Sequence, residues 1–402
     1  MAEAPSGPAG GGSPAPGSPV AGGPGGPRTR GGRPLSTVAP GLPQILAGRW
    51  GPGGTAFLVW VALLWVAVAR ADRVAAAVAG GWDDRLALLA LAAGVAGSWI
   101  WSWRDVGGGT GSAGRGTGRW RRAGRAFARN RTATAGLVVV LALYAVALLA
   151  PLLAPFDPGL QGDLLRDRLL PPSPAHPLGT DQYARDVLSR LLYGARISLS
   201  IGLVAVGISA SIGTVAGAAA GYLGGRVDAL LMRLVDLVLS FPRLVLLISL
   251  IAVFQPGILV VVAVLGLTLW PGTARLVRGE VLSLRERAFV EAARALGYSR
   301  RRIVLRHLVP NALAPVVVAA TLGIGNTIVL EAGLSFLGLG VQPPTPSWGT
   351  LVADGRDHLL GAWWLATFPG LTIVLAVLAF NLVGDGLRDA LDPRMRGGGG
   401  AM

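Results

Sequence analysis

Few side chains in this 402-residue sequence have the chemistry that catalysis or metal binding requires. It contains no cysteine and no lysine, and its three histidines are His176, His307 and His358. Without cysteine there is no thiol nucleophile, disulfide or zinc–thiolate site, and without lysine there is no P-loop and no Schiff base. The histidine spacing fits neither a metal site nor a catalytic triad. We therefore expect no enzyme activity, no cofactor and no bound metal, and any use of ATP must come from a partner.

Glu331 is the clearest ionisable residue inside a long apolar stretch, TLGIGNTIVLEAGLSFLG, with Asn326 a little upstream. An ionisable group within a membrane is energetically costly, so it is a candidate functional residue. Its carboxylate could act in a pathway across the membrane. Alternatively, it could pair with an arginine or asparagine of a neighbouring helix or of a second subunit.

A second candidate group, Asp181, Arg185 and Asp186, lies just before another apolar stretch. Arg185 follows Asp181 by four positions, so a helix would place the two side chains on one face, where they can form an ion pair. One interpretation is simple stabilisation of a helix end. The other is a gate, or a contact with another protein outside the membrane.

The elements that position these residues are predicted to be membrane spans. The sequence is 52% hydrophobic and only 14% charged, whereas an ordinary soluble domain has about a quarter charged residues. A span needs roughly 20 apolar residues to cross the hydrocarbon core. We predict eight, near 53–70, 84–103, 134–153, 197–221, 235–254, 257–277, 312–337 and 364–386.

The arginines predict how these spans are oriented. The net charge of +15 is carried by arginine alone, and arginines are concentrated in the segments 104–131 and 278–310. Arginine-rich loops stay on the cytoplasmic side, so the segments 154–195 and 339–363 should face outside. We expect a multi-pass protein of the plasma (inner) membrane with both termini in the cytoplasm. The basic charge then reflects membrane topology and not a nucleic-acid partner.

The strongest local pattern lies between the sixth and seventh predicted spans, in EVLSLRERAFVEAARALGYSRRRIVLRHLVPN. Small and apolar residues recur there at helical spacing, and Gly297 follows where a left-handed residue would end the helix. Ser299 is suited to cap a second, basic helix, which we expect Pro310 to close. Two short helices joined at a glycine can dock in a groove, with Glu291 available for charge pairing.

This segment resembles the EAA loop of ABC importer permeases. The matching residues are Glu291, Ala292, Ala293, Gly297 and Pro310, while His307 and Val309 replace the usual Ile and Leu. The segments 125–140, 154–158, 176–202, 334–349 and 381–394 resemble the C-type permease subunits of dipeptide, oligopeptide and nickel importers. The likeness covers roughly residues 120–396. Ala184 is one departure, because the family usually has glycine at that position.

The resemblance implies an all-α membrane protein, a polytopic helical bundle. It would have a six-span type I ABC importer permease core and two extra N-terminal spans. The predicted divisions are a disordered Pro/Gly-rich tail over 1–50, two extra spans over 51–104, a basic cytoplasmic linker over 105–131, the permease domain over 132–396 and a tail over 397–402. Within the permease domain, 154–195 is the external loop and 280–310 is the ATPase-coupling loop.

The resemblance also implies partners: a second permease subunit, two ABC ATPase subunits and an external solute-binding protein, in addition to membrane lipid. The EAA helix would sit in a groove of an ATPase and transmit its closure to the spans. Glu331 and Asn326 become candidates for the translocation pathway, where a carboxylate could bind the amino terminus of a peptide. Asp181, Arg185 and Asp186 become candidates for an external gate or a contact with the binding protein.

Two other classes of function stay open at this stage. A stand-alone secondary transporter driven by an ion gradient usually shows repeated halves and several intramembrane charges, and this sequence shows neither clearly. A membrane-anchored scaffold would have no transport role and no ATPase partner. The substrate also stays open, because dipeptides, longer peptides, nickel chelates and other solutes share this architecture.

Overall fold

The computed structural model describes residues 61–64, 66–74, 81–107 and 118–391. The predicted disordered tail over 1–50 and the predicted tail over 397–402 lie outside the described residues, as does half of the first predicted span. The chain divides into two compact units, 1–61 with 96–109, and 62–95 with 110–402. In the first unit the described residues are position 61 and the helical stretch 96–107. Apart from position 61 and the second half of the helix Trp82–Gly107, the features described below belong to the second unit.

The described residues form helices and contain no β-strand, only an isolated bridge between Thr180 and Asp186. Short helical stretches at 61–64, 66–69 and 71–74 come first. The helices that follow are α1 Trp82–Gly107, α2 Gly118–Arg129, α3 Arg131–Leu148, α4 Ala150–Leu153, α5 Val187–Leu223, α6 Gly225–Ser240, α7 Arg243–Val253, α8 Ile258–Arg285, α9 Ala288–Ala295, α10 Arg300–Ile303, a π-helical turn Val304–Leu308, α11 Val309–Phe336, α12 Trp348–Arg356 and α13 Trp364–Leu391.

Five helical stretches of the described part are long and apolar enough to cross a membrane. They are α3, α5, α8, the continuous stretch from α10 to α11, and α13. The bent pair of α6 and α7 would make a sixth. The expected all-α, multi-span architecture is therefore confirmed, while the role of the helix α1, which covers the second predicted span, stays a prediction.

Helices α5 and α8 pack closely because α5 presents glycine at every fourth position. A Cβ added at Gly213 would lie 2.5 Å from the Cβ of Thr273, and one at Gly221 would lie 2.9 Å from the carbonyl oxygen of Arg278. At Gly217 an added Cβ would collide with the carbonyl oxygen of Ala274. Small residues at this spacing let two backbones approach in lipid, where close packing drives helix association.

The core of the bundle is formed by α3, α5, α11 and α13 around the fully buried Trp348, the first residue of α12. Leu199 of α5, Ile328 of α11 and Phe380 of α13 belong to the same buried cluster. The indole Nε1 of Trp348 donates to the carbonyl of Leu191 at 3.2 Å. A short helix between two spans is thus anchored inside the bundle.

The predicted span over 235–254 is not one continuous helix. The structure has two helices there, α6 and α7, bent by 90° at a short break. Pro242 lies at that break, and a residue that precedes proline is forced out of the α region, so Phe241 is extended at φ −88° and ψ 138°. Helix α6 is held across α8 by ion pairs from Asp228 and Asp236 to arginines of α8.

The expectation that Pro310 closes the second basic helix is wrong. The helix that begins at Arg300 continues through the π-helical turn Val304–Leu308 into α11. Proline lacks an N–H and its ring clashes with the carbonyl four residues earlier in a regular helix. The wider π turn just before Pro310 relaxes that constraint, and the side-chain amide of Asn311 donates to the carbonyl of His307 at 2.7 Å.

Candidate functional site

The coupling segment has one buried and one exposed face. Val290 and Ala293 of α9 are buried in a cluster with Val281 of α8 and Ile303 of α10. On the opposite face Glu291 and Ala292 are exposed. The apolar side chains Phe289 and Leu296 are 41% and 72% exposed. The segment is therefore fixed to the bundle from one side and presents a small, mixed apolar and acidic surface on the other.

A glycine turn sets the angle between α9 and the helix that follows. Gly297 has φ +74°, which favours a residue without a Cβ. Its N–H donates to the carbonyl of Arg294 at 2.9 Å, and that of Tyr298 donates to the carbonyl of Ala293 at 3.1 Å. This pair of bonds is the Schellman motif. Ser299 then caps the next helix, as its Oγ accepts from the N–H of Arg302 at 3.4 Å; both predicted caps are confirmed.

Glu331 is fully buried and accepts hydrogen bonds from three serine hydroxyls. Ser335 and Ser347 donate to Oε1 at 2.7 and 2.9 Å, and Ser198 of α5 donates to Oε2 at 3.1 Å. Among the described residues it makes no ion pair with an arginine. Charge-assisted hydrogen bonds are the strong ones, so three donors compensate for much of the desolvation of this carboxylate.

Each of these serines also accepts a backbone N–H from the segment 341–350. The N–H groups of Val341, Trp348 and Thr350 donate to Ser335, Ser198 and Ser347 at 3.3, 3.1 and 3.1 Å. Every hydroxyl therefore relays a hydrogen bond from backbone to carboxylate. Glu331 is the common acceptor that ties this segment, α5 and α11 together.

Asn326 is not brought together with Glu331. Its side chain is exposed, whereas Glu331 is enclosed. Five positions along a helix correspond to about 140° around its axis, so the two side chains lie on different faces of α11. The structure does not show a shared site for these two residues.

Asp181 and Arg185 are paired, and a turn rather than a helix brings them together. Helix α5 begins only at Val187, and the pair lies in a tight turn where Ala184 has φ +55°. The turn brings Arg185 Nε to 2.7 Å from Asp181 Oδ2, and its N–H donates to Asp181 Oδ1 at 2.9 Å. Glycine would suit this left-handed position better than alanine, which agrees with the family preference noted at Ala184.

Two residues that the sequence did not single out complete a buried ion network. Arg190 Nη1 lies 2.8 Å from Asp181 Oδ2, and Arg190 Nη2 lies 3.2 Å from Asp354 Oδ2 of α12. Asp354 also lies 3.8 Å from Arg185 Nη2. Burial raises the pKa of Asp354 to about 6, although Arg185 draws it downward. The network links the start of α5 to α12. In the sequence, the one indication of it is a charged residue, Arg190, near the start of an apolar helix.

Asp186 has a separate role at the start of α5. Its Oδ2 accepts from the N–H and Oγ of Ser189, both at 2.8 Å, so it caps the helix. Its Oδ1 lies 2.9 Å from Nδ1 of His176. The described part of the chain holds no group of three or more histidine, aspartate or glutamate side chains that could bind a metal ion.

The fold defines a multi-pass helical membrane protein. Residues 213–397 match the family model described as binding-protein-dependent transport system inner membrane component, and residues 118–172 match that of the N-terminal TM domain of oligopeptide transport permease C. This chain belongs to the family of binding-protein-dependent transport system inner membrane components.

Curated relatives agree with this family. The chain is 42% identical over 282 residues to the dipeptide transport system permease protein DppC of Alkalihalophilus pseudofirmus, covering 69% of this chain and 90% of the relative. It is 45% identical over 279 residues to the di/tripeptide transport system permease protein DppC of Pseudomonas aeruginosa, covering 68% and 91%. A solved structure of the MetNI methionine ABC transporter in an inward-facing conformation is similar at 21% identity and a TM-score of 0.42, covering 50% of this chain and 97% of that one.

Proposed function

We propose that this chain is the permease subunit of an ATP-driven peptide importer. It would form half of the translocation pathway and work with a second permease subunit, two ABC ATPase subunits and an external solute-binding protein. Its family membership supports a binding-protein-dependent transporter, and the names of the two relatives support dipeptides or similar peptides as the substrate class.

The observation that carries the proposal is the two-sided coupling segment. The buried face of α9 shares one cluster with Val277 and Val281 of α8 and with Leu308, which precedes α11. A force applied to the exposed face around Glu291 would therefore reach two long helices directly. Because well-packed interiors transmit strain, a partner ATPase that seats this helix in a groove could move both spans, and the segment acts as a lever.

Replacing Glu291 with lysine tests the lever. Its carboxylate is exposed and makes no salt bridge among the described residues, so Glu291→Lys should leave folding unchanged and reverse one charge of the docking surface. We expect dipeptide uptake by cells to fall at least about tenfold, which is about 1.4 kcal/mol of coupling. Glu286→Lys is the matched control, since Glu286 is exposed close by but lies outside α9.

Gly297→Pro tests the same segment through its backbone. Proline cannot adopt φ +74°, so the turn between α9 and α10 would be lost while the spans stay intact. We expect normal protein in the membrane, no uptake, and loss of co-purifying P-loop ATPase. Normal uptake by both variants at normal protein levels would contradict the lever. Uptake that survives ATP depletion would instead favour an ion-driven transporter.

We also propose the orientation that the arginines predict, with both termini and the coupling segment in the cytoplasm and 154–195 outside. The chain has no cysteine, so a single introduced thiol can be labelled without background. Leu165 is 96% exposed in the outer segment, and Leu296 is exposed in the coupling segment. An impermeant thiol reagent should label Leu165→Cys but not Leu296→Cys in intact cells; the reverse pattern would overturn the orientation.

For the remaining candidates, burial supports different roles. Asp181, Arg185 and Asp186 are each at most 7% exposed, so we propose that they hold the outer segment in shape for a binding protein and do not contact it directly. Glu331 is likewise buried, and its carboxylate is hydrogen-bonded by three serines, so we propose a structural role for it as well. Asn326, which is exposed, is the better candidate for the pathway, and Asn326→Ala should change the preference among peptides without lowering the amount of protein.

A further inference from the structure

A groove runs along the last turns of α5. One cavity of about 510 Å³ is lined by Ser211, Val215 and Ala219, together with Leu231 of α6. A second of about 530 Å³ adjoins it and shares Val215 and Ala219. The stretch of helix from 211 to 223 is about 18 Å long at 1.5 Å per residue. The two cavities lie next to each other on this stretch of α5, and we call them together the α5 groove.

The inner part of the α5 groove is apolar and open. Val215 is 72% exposed, and Leu305, which faces it from the π-helical turn, is 54% exposed. The hydroxyl of Ser211 is already satisfied, since it donates to the carbonyl of Gly207 at 2.7 Å. Small residues such as Ala218 and Ala219 make the surface of α5 concave here. The chemistry of this part suits a hydrocarbon chain.

The packing of α5 against α8 indicates where the groove lies along the membrane normal. The backbone of α5 approaches α8 beside Ala274 at Gly217 and beside Arg278 at Gly221. Helix α8 has no charged residue from Ile258 to Ala274, and its first arginine is Arg275. Charged side chains concentrate where the hydrocarbon core ends. The groove thus begins at hydrocarbon depth and ends at the level of the lipid headgroups.

Four arginines surround the headgroup end. Arg300 and Arg301 line the second cavity directly, and Arg302 and Arg306 line a shallower one of about 380 Å³ beside it. Within the described residues none of the four forms a salt bridge. The guanidinium of Arg302 lies 4.2 Å from the ring centroid of Tyr298. Guanidinium groups match phosphate geometry, so this end of the groove suits an anionic headgroup.

We propose that the α5 groove binds an anionic phospholipid, with an acyl chain beside Val215 and Ala219 and the phosphate at Arg300 and Arg301. A water-soluble partner such as an ATPase can reach the arginines, but it does not enter the hydrocarbon layer where Val215 lies. A zwitterionic lipid fills the apolar part equally well but leaves the positive charge uncompensated. Basic pockets beside spans bind anionic headgroups for this reason.

The test is a lipid titration of the purified full-length chain in mild detergent, read by native mass spectrometry. Phosphatidylglycerol and phosphatidylcholine with identical acyl chains are the two probes. We expect one phosphatidylglycerol to stay bound at concentrations where phosphatidylcholine does not. Arg300→Gln with Arg301→Gln should weaken that binding about 30-fold, which is about 2 kcal/mol at 1.4 kcal/mol per tenfold.

Matched controls separate the groove from general effects of charge and hydrophobicity. Arg129→Gln with Arg131→Gln removes the same charge from exposed arginines outside the groove and should change nothing. Ala219→Trp fills the groove and should abolish binding, whereas Ala145→Trp on the exposed face of α3 should not. Size-exclusion chromatography shows whether each variant folds, and Ala219→Leu replaces the tryptophan variant if that one aggregates.

Several outcomes would overturn the proposal. Equal retention of the two lipids would mean that the groove does not recognise the headgroup. Equal effects of the Arg300/Arg301 and Arg129/Arg131 substitutions would mean that binding is not specific to the groove. Displacement of the lipid by inorganic phosphate alone would indicate an ion site. In the assembled transporter, a photoreactive group at Val215 should label lipid; labelling of another subunit or of a peptide would assign the groove to that occupant.

Discussion

Removing the hydroxyl of Ser347 should destabilise the protein more than any other single loss around Glu331. Ser347 donates to the Glu331 carboxylate at 2.9 Å and also caps α12 by accepting from the N–H of Thr350 at 3.1 Å. Loss of an N-cap costs about 1 kcal/mol. Loss of a buried hydrogen bond to a charged group costs about 1.5–3 kcal/mol in soluble proteins, but measured couplings between membrane helices reach only about 1.7 kcal/mol. We therefore expect Ser347→Ala to lower the free energy of unfolding by about 2–3 kcal/mol.

Two comparison variants test whether the expected loss of stability is specific to the hydrogen bonds around Glu331. Ser198→Ala removes the bond to Oε2 of Glu331 and the acceptor of the N–H of Trp348, so a loss of about 2 kcal/mol is expected. Ser211→Ala is the control on the same helix, because its hydroxyl is exposed and bonds only the carbonyl of Gly207. It should change stability by less than about 0.5 kcal/mol.

Equilibrium unfolding in mixed micelles of mild detergent and dodecyl sulfate measures these differences. Glu331→Gln supplies the second arm of a double-mutant cycle, since an amide offers one acceptor oxygen where the carboxylate offers two. The coupling between Glu331→Gln and Ser347→Ala should be about 1 kcal/mol. Two results would refute the reasoning: Ser347→Ala as stable as Ser211→Ala, or a double mutant whose loss equals the sum of the single losses.

Three further predictions concern backbone strain, helix packing and pH. Ala184→Gly should raise the melting temperature, because alanine at φ +55° costs about 1 kcal/mol; a lower melting temperature would show that the lost methyl contacts matter more. Gly217→Val should reduce folded protein in the membrane, since a side chain there collides with the carbonyl of Ala274, whereas Gly207→Val, at a glycine with open space around it, should not. Because the pKa of Asp354 is raised to about 6, its carboxyl holds a proton in the folded state that the unfolded chain releases near pH 4. Its contribution to stability should therefore fall by roughly 2 kcal/mol as the pH rises from 4 to 6, and unfolding measured over that range should lose this slope in Asp354→Asn; a slope that persists in the variant would refute the assignment.

Local patterns in the sequence predicted the coupling segment well. Gly297 ends α9 in the left-handed region, and Ser299 caps the helix that follows, as expected. These features depend on backbone conformation over four to six residues, so residue type decides them. The same local reasoning failed at Pro310, because a π-helical turn depends on how the continuous helix packs and not on the residues alone.

The groups that contact the buried charged side chains were harder to predict from the sequence. The sequence marked Glu331 as a costly charge but suggested an arginine or asparagine partner, whereas the structure provides three serines. Serine is common in small-residue spans, so Ser198 carries no signal of its own. The network around Asp181 likewise draws on Asp354, far along the chain, and no local pattern connects them.

By itself the sequence determined the class of protein, because apolar length, arginine placement and the absence of lysine and cysteine are properties of composition and order. It also determined the shape of the coupling turn, which is local. Only the tertiary structure decided what each buried charge contacts, how sharply α6 and α7 bend at Pro242, and that a groove beside α5 ends at arginines that form no salt bridge with the described residues. Those features arise where segments distant in sequence meet, and their energies depend on geometry that no single segment contains.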